Sequence, residues 1–491
     1  MAIVKINVLN HADYAAHFRA ENGVPGISKF YSAIESIRSL DPQHTLLLDA
    51  GDNFKSRLWD DEVQNGIKKL KTDVYNYGNH DFDWGKQHIE QHTAMLNDEV
   101  PVVCSNVVEK ETGDFVKGAK PYVVFEKGGI KYGVLGLITE YTPYMVTAKY
   151  FAPYKVIDSV EAIKKYVPII REEGAEIVIC LTHFPFYFTE QGEESGELID
   201  VLNQVLDYDI DVMIGGHIPG DYGKIYKGVA VCKGGFGGAS LPYATLYFDT
   251  ETRKVVDKEA GVIDVDHNEY PVDEEMQKWA DSILDPLNDY FNKPISYAEE
   301  DIPSRLDFES YLGDLYADIL KGSFDCDFVY FNNTSMREVL YKGPLTKASV
   351  QCITGFDDPI YVGKYTGRQI WQLFERVHDP DVFGNNGNIS FAGLNVKMDH
   401  TQPKDHKVVY IHDLDGNDID MDKVFTVVTS EYMAYGGNGT YPVANQTSWE
   451  MTGSRMYDVL VDWLVDHPVL RRPQLGRYIF IGKPENDNSP W

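Results

Sequence analysis

The first half of the chain alternates short apolar runs with longer amphipathic stretches. The apolar runs have the length and β-branched content of buried strands, whereas the stretches between them repeat apolar residues at helical spacing. The predicted strands lie in IVKINVL, HTLLLD, TDVYNY, PVVCSNV, KYGVLGLI, AEIVICLTHF, DVMIGG and ATLYFDT, and the predicted helices in GISKFYSAIESIRSL and SVEAIKKYVPIIREEG. This βαβ rhythm predicts an α/β fold.

Polar residues follow several of these predicted strands directly. The segments LLLDAGD, ICLTH and MIGGH each run from apolar residues into Asp or His. In an α/β sheet the ligand crevice lies beyond the carboxyl ends of the strands. We therefore expect the polar ends of these three segments to meet at one place.

An acidic segment near residues 265 to 300 interrupts the pattern and holds one predicted helix, VDEEMQKWADSILDPLNDYFNK. Beyond it a second α/β pattern begins, with SYLGDLYADILKGS, DFVYFNN, GRQIWQLFERV, KVVYIHDL and FTVVTSEYMAYGGNG. No repeat with a period of about 20 to 50 residues is present. We predict a first domain over residues 1–265, a linker helix over 266–296 and a different second domain over 297–491.

Composition narrows the class of protein. The 491 residues are 43% hydrophobic and carry a net charge of −31, which opposes binding to nucleic-acid polymers and to acidic membrane surfaces. A small anionic partner is still compatible with this charge, because a local pocket outweighs a diffuse field at contact distance. Five scattered cysteines indicate packed thiols rather than a disulfide framework.

The start of the chain, MAIVKINVLNHAD, has no basic region followed by a long apolar run, and no stretch reaches the length of a membrane span. These features predict a cytoplasmic protein. A secreted protein without its leader has the same appearance, so that alternative stays open.

The first half offers the ligand types that divalent metals use in phosphate chemistry, namely carboxylate, amide and imidazole groups on loops after strands. The candidates are Asp13, Asp52, Asn79, His80, His183 and His217. Each has an ordinary alternative when taken singly. A strand-end Asp commonly caps a helix, a lone His is commonly hydrogen-bonded in the structure, and Gly pairs commonly form turns.

In this order the motifs D13, GD52, GN79-H80-D-F-D83, H183 and GGH217 resemble those of the calcineurin-like metallophosphoesterases, and more narrowly of the 5'-nucleotidases. The second half extends the resemblance through FVYFNNTSMRE and YMAYGGNGTY. The resemblance implies a four-layer fold, in which a β-sandwich is flanked by helices, joined by a linker helix to a second α/β domain. It also implies release of phosphate from a nucleoside 5'-monophosphate.

By resemblance, Asp52 bridges two metal ions, and Asn79, His183 and His217 complete one of the two sites. The other site has Asp13, but Ala15 and Pro219 stand where the family has further ligands. His11, His17 and Asp221 lie close enough in sequence to substitute for them. The expected cofactor is Zn²⁺ or Mn²⁺, with one site clear and the second doubtful.

The resemblance also assigns the proton chemistry. His80 would stabilise the charge of the transition state or protonate the leaving oxygen, and Asp83 would orient it. The alternative is a buried hydrogen bond that only holds the loop in place.

The resemblance assigns the substrate residues to the second domain. Phe391 and Tyr432 would stack on a base, Asn332, Arg337 and Arg305 would contact phosphate, and Asn438 stands where the family has a ribose-binding aspartate. As alternatives, the aromatic residues are core side chains and Arg305 forms a surface ion pair.

Two other functions fit the same motifs. One is a nucleotide-binding protein that has lost catalysis together with its second metal. The other is an esterase that acts on cyclic nucleotides, nucleotide sugars or another phosphorylated metabolite.

Overall fold

The structure is a computed structural model that describes residues 3–20, 23–53, 60–189, 191–306, 308–336, 339–354, 358–379 and 388–482. The chain divides into two compact units, residues 1–285 and 286–491. The division falls inside the acidic helix that the sequence predicts, and Pro286 within this helix is the first residue of the second unit.

The first unit is built mainly of strands with helices between them. The strands are β1 (Ile3–His11), β2 (Thr45–Asp49), β3 (Val74–Asn76), β4 (Val102–Val103), β5 (Val107–Glu109), β6 (Tyr122–Lys127), β7 (Ile130–Ile138), β8 (Tyr154–Val156), β9 (Ile177–His183), β10 (Tyr187–Phe188), β11 (Glu194–Ser195), β12 (Val212–Ile214), β13 (Tyr222–Tyr226), β14 (Val229–Lys233), β15 (Ser240–Asp249) and β16 (Lys254–Asp264). The helices are α1 (Gly26–Arg38), α2 (Asp60–Lys69), α3 (Lys86–Leu96), α4 (Thr142–Met145), α5 (Ala148–Phe151), α6 (Ser159–Glu172), α7 (Glu197–Gln204) and α8 (Glu274–Asn292).

Most of these strands belong to two six-stranded sheets, in the orders β16-β15-β1-β2-β3-β4 and β13-β14-β12-β9-β7-β6. Strands β1 to β4 pair in parallel in the first sheet, and β7, β9, β12 and β14 pair in parallel in the second. The antiparallel strands β15, β16, β13 and β6 lie towards the sheet edges. Parallel pairing brings the carboxyl ends of the central strands of each sheet to a common side.

The two sheets pack face to face and each carries helices on its outer face. Ile6 and Leu48 of the first sheet share an apolar layer with Val134 and Ile179 of the second. Helix α1 covers the first sheet and α6 covers the second, each through apolar residues at helical spacing. The unit is therefore a four-layer β-sandwich flanked by helices, which confirms the expected fold.

Continuous burial explains why the central strands read as apolar runs rather than as alternating patterns. Every residue of β2 and of β9 is buried, as expected for parallel strands that are covered on both faces. Cys104, Cys180, Cys232 and Cys326 are buried as well, in line with packed thiols, whereas Cys352 is exposed and departs from that prediction.

The second unit contains a five-stranded sheet between two apolar clusters. Its strands are β17 (Pro294–Ala298), β18 (Phe328–Asn332), β19 (Gly343–Thr346), β20 (Pro359–Thr366), β21 (Ile389–Ala392), β22 (Asn395–Asp399), β23 (Val408–His412), β24 (Val424–Ser430), β25 (Glu450–Arg455) and β26 (Tyr478–Ile481). Its helices are α9 (Tyr311–Ser323), α10 (Lys347–Ile353), α11 (Gly367–Val377), α12 (Glu431–Ala434), α13 (Tyr441–Ala444) and α14 (Met456–Asp466).

The five-stranded sheet has the order β21-β18-β24-β20-β25. Alternate residues of β18 point to opposite clusters: Val329 and Phe331 pack with α9 and α14, whereas Phe328 and Tyr330 pack with α11. Helix α11 begins at a capping box formed by Thr366 and Gln369. In the described part of the chain, the helices lack the combined length and apolar character that crossing a bilayer requires.

Candidate metal centre and substrate residues

The first sheet delivers two carboxylates to the carboxyl ends of its parallel strands. Asp13 follows β1 and Asp52 follows β2, and the loops that carry them are joined because Asp13 N–H donates to the Gly51 carbonyl at 2.9 Å. After β3, the Asn79-His80 segment enters the same loop cluster, where His80 N–H donates to Asp52 Oδ1 at 2.8 Å. Three neighbouring strand ends thus converge.

The second sheet delivers two imidazoles to the same place. His183 is the last residue of β9, and its Nε2 lies 2.9 Å from Asp52 Oδ2. His217 follows β12, and its Nδ1 lies 2.8 Å from Asn79 Oδ1. Ligand atoms of Asp52, His183 and His217 all lie within 4.8 Å of one another. The structure therefore brings the strand ends together as the sequence predicts.

His183 is oriented for binding a cation. Its Nδ1–H donates to the Ala50 carbonyl at 2.7 Å, which fixes the tautomer whose Nε2 faces Asp52. The side chain is fully buried, so its ring nitrogens cannot bind water in place of these partners.

Several of these residues hold backbone conformations that side chains other than glycine rarely adopt. Asp13, Asp52 and His217 have φ values of 54°, 58° and 77°. Left-handed backbone at such residues costs of order 1–3 kcal/mol each and is concentrated at functional sites. The turns are shaped to place their side chains rather than to minimise local strain.

Two buried aspartates that the sequence did not identify as candidates hold the loops of the pocket through hydrogen bonds. Asp81 accepts the backbone N–H groups of Gly78 and Asp52, at 2.5 and 3.2 Å, and the Tyr75 hydroxyl at 2.6 Å. Asp49 accepts from Asn53 Nδ2 and from Gly51 N–H. Both lie inside the GNHDFD and DAGD motifs, and only the structure shows that they bind the loops.

The electrostatics of the pocket favour a cation. Burial alone would raise the pKa of Asp52, but the imidazoles of His183 and His80 outweigh it and hold this pKa well below its usual range. Burial would lower the pKa of His183, yet Asp52 and Asp13 raise it to about 9. Burial raises the pKa of Asp13, against the opposing effects of His183 and Lys233. In the metal-free protein the protonated His183 therefore balances the charge of Asp52 at neutral pH.

The donor set is of the kind that holds a divalent ion. Carboxylate, amide and imidazole donors suit Zn²⁺ and Mn²⁺ alike, and Asp52, Asn79, His183 and His217 supply them. In the described part of the chain, the His and carboxylate side chains that lie close enough together to bind one ion are those of Asp52, His183 and His217.

The three residues considered as substitutes for the second site have other environments. His11 lies against Asp49, with Nε2 3.5 Å from Oδ2, and His17 packs edge-on against Phe236 at 5.0 Å between ring centroids. Asp221 accepts the Ser240 hydroxyl at 2.6 Å. Among the described residues, none of these three side chains forms with Asp13 a group of donor atoms close enough together to bind one ion.

His80 and Asp83 form the pair that the resemblance implies. His80 Nδ1–H faces Asp83 Oδ2 at 2.7 Å; His80 begins the short 3₁₀ helix His80–Phe82, and Asp83 directly follows this helix. The two side chains retain 22% and 16% exposure, so the pair lies at the rim of the pocket rather than in the core. This position allows contact with a substrate, which a purely loop-fixing pair does not require.

In the second unit, the side chain of Asn332 is engaged locally. At the end of β18 it donates to the Thr334 hydroxyl and accepts from the Ser335 hydroxyl, both at 2.6 Å. The guanidinium of Arg305 lies over the Phe308 ring at 4.8 Å from its centroid. Arg337 lies outside the described residues.

Tyr432 and Asn438 are joined, whereas Phe391 lies in the core. The Tyr432 hydroxyl lies 3.3 Å from Asn438 Oδ1 and accepts the Asn438 N–H at 3.2 Å. Asn438 has a φ of 51°, so its turn is also in the left-handed region. Phe391 is 1% exposed and packs edge-on against Phe374 and Tyr478. Its environment is that of a core side chain.

Comparisons with known proteins agree with this architecture. The family model of calcineurin-like phosphoesterases matches residues 11–221, and that of the 5'-nucleotidase C-terminal domain matches residues 295–446. The crystal structure of a 5'-nucleotidase precursor from Thermus thermophilus shares the fold, with a TM-score of 0.81 and 19% identity, over 98% of this chain and 100% of that chain.

Two curated relatives are longer than the region they share with this chain. A cell wall protein of Listeria monocytogenes is 23% identical over 482 residues, which cover 88% of this chain and 61% of that protein. An endonuclease of Bacillus subtilis is 23% identical over 474 residues, which cover 91% of this chain and 38% of that protein.

The four-layer sandwich with its pocket of strand-end ligands defines a calcineurin-like phosphoesterase domain. With the C-terminal domain that accompanies it, the chain belongs to the 5'-nucleotidase family.

Proposed function

We propose that this protein hydrolyses a phosphomonoester, a nucleoside 5'-monophosphate in the first place, with a divalent metal ion held by Asp52, Asn79, His183 and His217. The observation that carries the proposal is the grouping of Asp52, His183 and His217 within 4.8 Å, with the amide of Asn79 against His217. Zn²⁺ and Mn²⁺ are the ions that these donors favour.

A bound divalent ion supplies Lewis-acid activation of the phosphate and lowers the pKa of an attacking water. The protein's own groups do the remaining work. Asp52 is held in its ionised form by the neighbouring imidazoles, and its Oδ1 is fixed by the His80 backbone. Asp81 and Asp49 hold the loops so that these donors need not reorganise during the reaction.

His80 is the proposed proton donor. The Asp83 carboxylate accepts its Nδ1–H at 2.7 Å and would stabilise the imidazolium form, leaving Nε2 as the nitrogen that delivers a proton. The substrate oxygen that leaves with the nucleoside would receive that proton. The pair also argues against a protein that only binds nucleotides, because binding alone does not need an oriented acid.

For the substrate, we propose that Tyr432 stacks on the base and that Asn438 contacts the sugar. Their hydrogen bonds to each other couple the two contacts. Arg305, Asn332 and Arg337 are proposed to contact phosphate. The burial of Phe391 favours its core role, so we assign base stacking to Tyr432 alone.

A substrate panel tests this proposal. The Mn²⁺-loaded protein would be assayed for phosphate release from AMP, 2'-deoxy-AMP, cyclic AMP, a nucleotide sugar and glycerol phosphate. We expect AMP to give the highest kcat/KM. A clear preference for cyclic AMP or the nucleotide sugar would replace the monophosphate assignment with one of those substrates.

A matched pair of substrates isolates base recognition. Tyr432→Ala should raise KM for AMP about 5- to 150-fold, since stacking on a base contributes about 1–3 kcal/mol. The same variant should leave hydrolysis of glycerol phosphate unchanged. Equal losses on both substrates would show that Tyr432 acts on folding rather than on the base.

A further inference from the structure

The pocket holds a carboxylate that the proposed metal site does not use. Asp13 Oδ2 accepts the His217 backbone N–H at 2.9 Å, and Asp13 Oδ1 lies 3.9 Å from His183 Nε2. Asp13 is absent from the group of three residues whose ligand atoms fit one ion. A second ion beside Asp13 would need further donors, and Ala15 and Pro219 carry none.

A buried lysine holds the same loop that this carboxylate holds, since Asp13 binds the backbone of His217 and the lysine binds the carbonyl of the next residue, Ile218. Lys233 ends β14 and is 0% exposed. Its Nζ donates to the carbonyls of Ile218 and Gly220, the latter at 2.9 Å, which are the residues on either side of Pro219. The ammonium therefore lies under the loop that follows His217.

The lysine side chain passes within van der Waals distance of glycines on both sides of His217. A side-chain carbon added at Gly215 would lie 3.4 Å from Lys233 Cδ, and one added at Gly220 would lie 4.0 Å from Nζ. The stem thus runs beneath the GGH segment to reach the loop. Such a fit is unusual for lysine, which is almost never fully buried unless it is paired.

Burial lowers the pKa of Lys233 to about 8, and the carboxylates of Asp13 and Asp221 oppose this shift. Burying an ammonium is strongly unfavourable unless hydrogen bonds and an opposite charge compensate. The two carbonyls supply the hydrogen bonds, and the two carboxylates supply the opposite charge.

We infer that the Lys233 ammonium is a built-in counterion of Asp13 that takes the place of a second divalent ion, so that the pocket holds one metal. The inference rests on the proposed function, because it concerns the same pocket. The ammonium neutralises Asp13, engages the carbonyls of Ile218 and Gly220, and repels any further cation. Lys233 is accordingly a positioning residue that acts through Asp13 and the His217 loop.

Metal stoichiometry tests the inference. The full chain would be stripped with a chelator and dialysed against saturating Mn²⁺, and bound metal per chain would be measured by mass spectrometry. We expect one Mn²⁺ in the wild type and two in Lys233→Ala, because removal of the ammonium frees Asp13 and two carbonyl oxygens, the donor type that Mn²⁺ accepts. Two ions in the wild type, or one in the variant, would overturn the inference.

Control variants separate charge from packing. Lys233→Arg keeps the positive charge and should still bind one ion, whereas the double variant Lys233→Ala/Asp13→Asn should return from two ions to one. If Lys233→Ala does not fold, Lys233→Met keeps most of the stem without the charge and should also bind two. The electron paramagnetic resonance spectrum gives an independent readout, since two neighbouring Mn²⁺ ions couple and a single ion does not.

Failure of this inference is distinguishable from failure of the proposed function. A wild-type chain that binds one or two ions and releases phosphate supports the function, and the count then decides about Lys233. A wild-type chain that binds no ion and releases no phosphate would overturn both.

Discussion

At the scale of single residues, His80 has contacts on two sides that serve different purposes. Its backbone N–H holds Asp52, whereas its ring is held by Asp83. A substitution of the side chain therefore removes the proposed acid and leaves the backbone contact to Asp52, a proposed metal ligand, in place.

His80→Ala should lower kcat by about 10²- to 10⁴-fold, the usual contribution of a positioned proton donor, with Mn²⁺ affinity unchanged. Steady-state kinetics and metal dialysis on the same preparation check this. Asp83→Asn is the matched variant, which should give a smaller loss because the ring stays in place. An unchanged kcat in His80→Ala would remove His80 from the mechanism.

The protonation of His183 predicts how the metal-free protein responds to pH. Its pKa in the folded state is raised to about 9, above the ordinary value, so the imidazolium contributes stability that is fully present below about pH 6.5. This contribution is lost as the pH rises through 9, and it amounts to about 3 kcal/mol at most.

The measurement is the free energy of unfolding of the chelator-treated wild-type chain and of His183→Asn, obtained by denaturant titration between about pH 6 and about pH 10. The wild type should be the more stable at pH 6, and the difference should shrink towards pH 10. A difference that stays constant or grows with pH would contradict the charge state that we assign to His183.

The residues of the pocket differ in how far the sequence predicted them. Asp52, Asn79, His183 and His217 could be predicted because each directly follows a strand or lies in a motif. Lys233 and Asp49 could not, since an apolar run that ends in lysine and a buried strand that ends in aspartate have many ordinary explanations. The role of Lys233 depends on the course of the loop after β12, and that of Asp49 on hydrogen bonds to Gly51 and Asn53 in the turn after β2, which neither pattern encodes.

At the scale of elements, the loops after the strands are packed so closely that glycine is required at one of them. A side-chain carbon at Gly78 would lie 2.1 Å from Asp52 Oδ1 and 2.8 Å from the Asp52 backbone nitrogen. Gly78 precedes Asn79 directly, so the loop after β3 can touch the loop after β2 only without a side chain there.

Gly78→Ala should fold but should weaken Mn²⁺ binding by at least about 10-fold, because Asp52 must move and misplaced supporting groups typically cost 10- to 100-fold in metal affinity. Isothermal titration measures the affinity. Gly322→Ala is the control, since nothing lies within 4 Å of the added carbon, and it should bind Mn²⁺ normally. Wild-type affinity in Gly78→Ala would show that the contact between these loops is not needed for the site.

The strands and helices were predicted more fully than their arrangement. The apolar runs of the first half correspond to strands, among them β1, β2, β7, β9 and β12. Parallel pairing with both faces covered explains the continuous burial of β2 and β9. Their distribution over two sheets could not be read from the pattern, since both sheets contain runs of the same kind. Phe391 shows the same limit, because a strand aromatic at a core position and one at a binding site look alike in sequence.

At the scale of the whole molecule, the division into residues 1–285 and 286–491 lies within the predicted linker segment. The domain limits 1–265 and 297–491 stay a prediction. Met276 and Ala280 of helix α8, which lie in the predicted linker, pack in the core of the first unit. An acidic composition identified the segment, but its packing depends on apolar residues on one face of the helix.

The overall charge predicts a response to salt. The chain carries −31 and the proposed substrate is a dianion, so long-range repulsion should slow their encounter at low ionic strength. Raising the ionic strength from about 10 mM to about 150 mM shortens the Debye length to about 8 Å and should increase kcat/KM for AMP. Potassium chloride and potassium acetate should act alike, and a fall in kcat/KM with both salts would indicate that a local positive field controls the encounter instead.

The central claim is that the pocket of Asp52, Asn79, His183 and His217 performs metal-dependent phosphoester hydrolysis. The most direct measurement is phosphate release from AMP by the chelator-stripped chain, before and after addition of Mn²⁺, Zn²⁺ or Co²⁺, with His217→Asn assayed in parallel. We predict that the stripped chain is inactive, that Mn²⁺ or Zn²⁺ restores release, and that His217→Asn recovers little of it. Tight AMP binding without turnover under any of these metals, or undiminished turnover after stripping, would contradict the account.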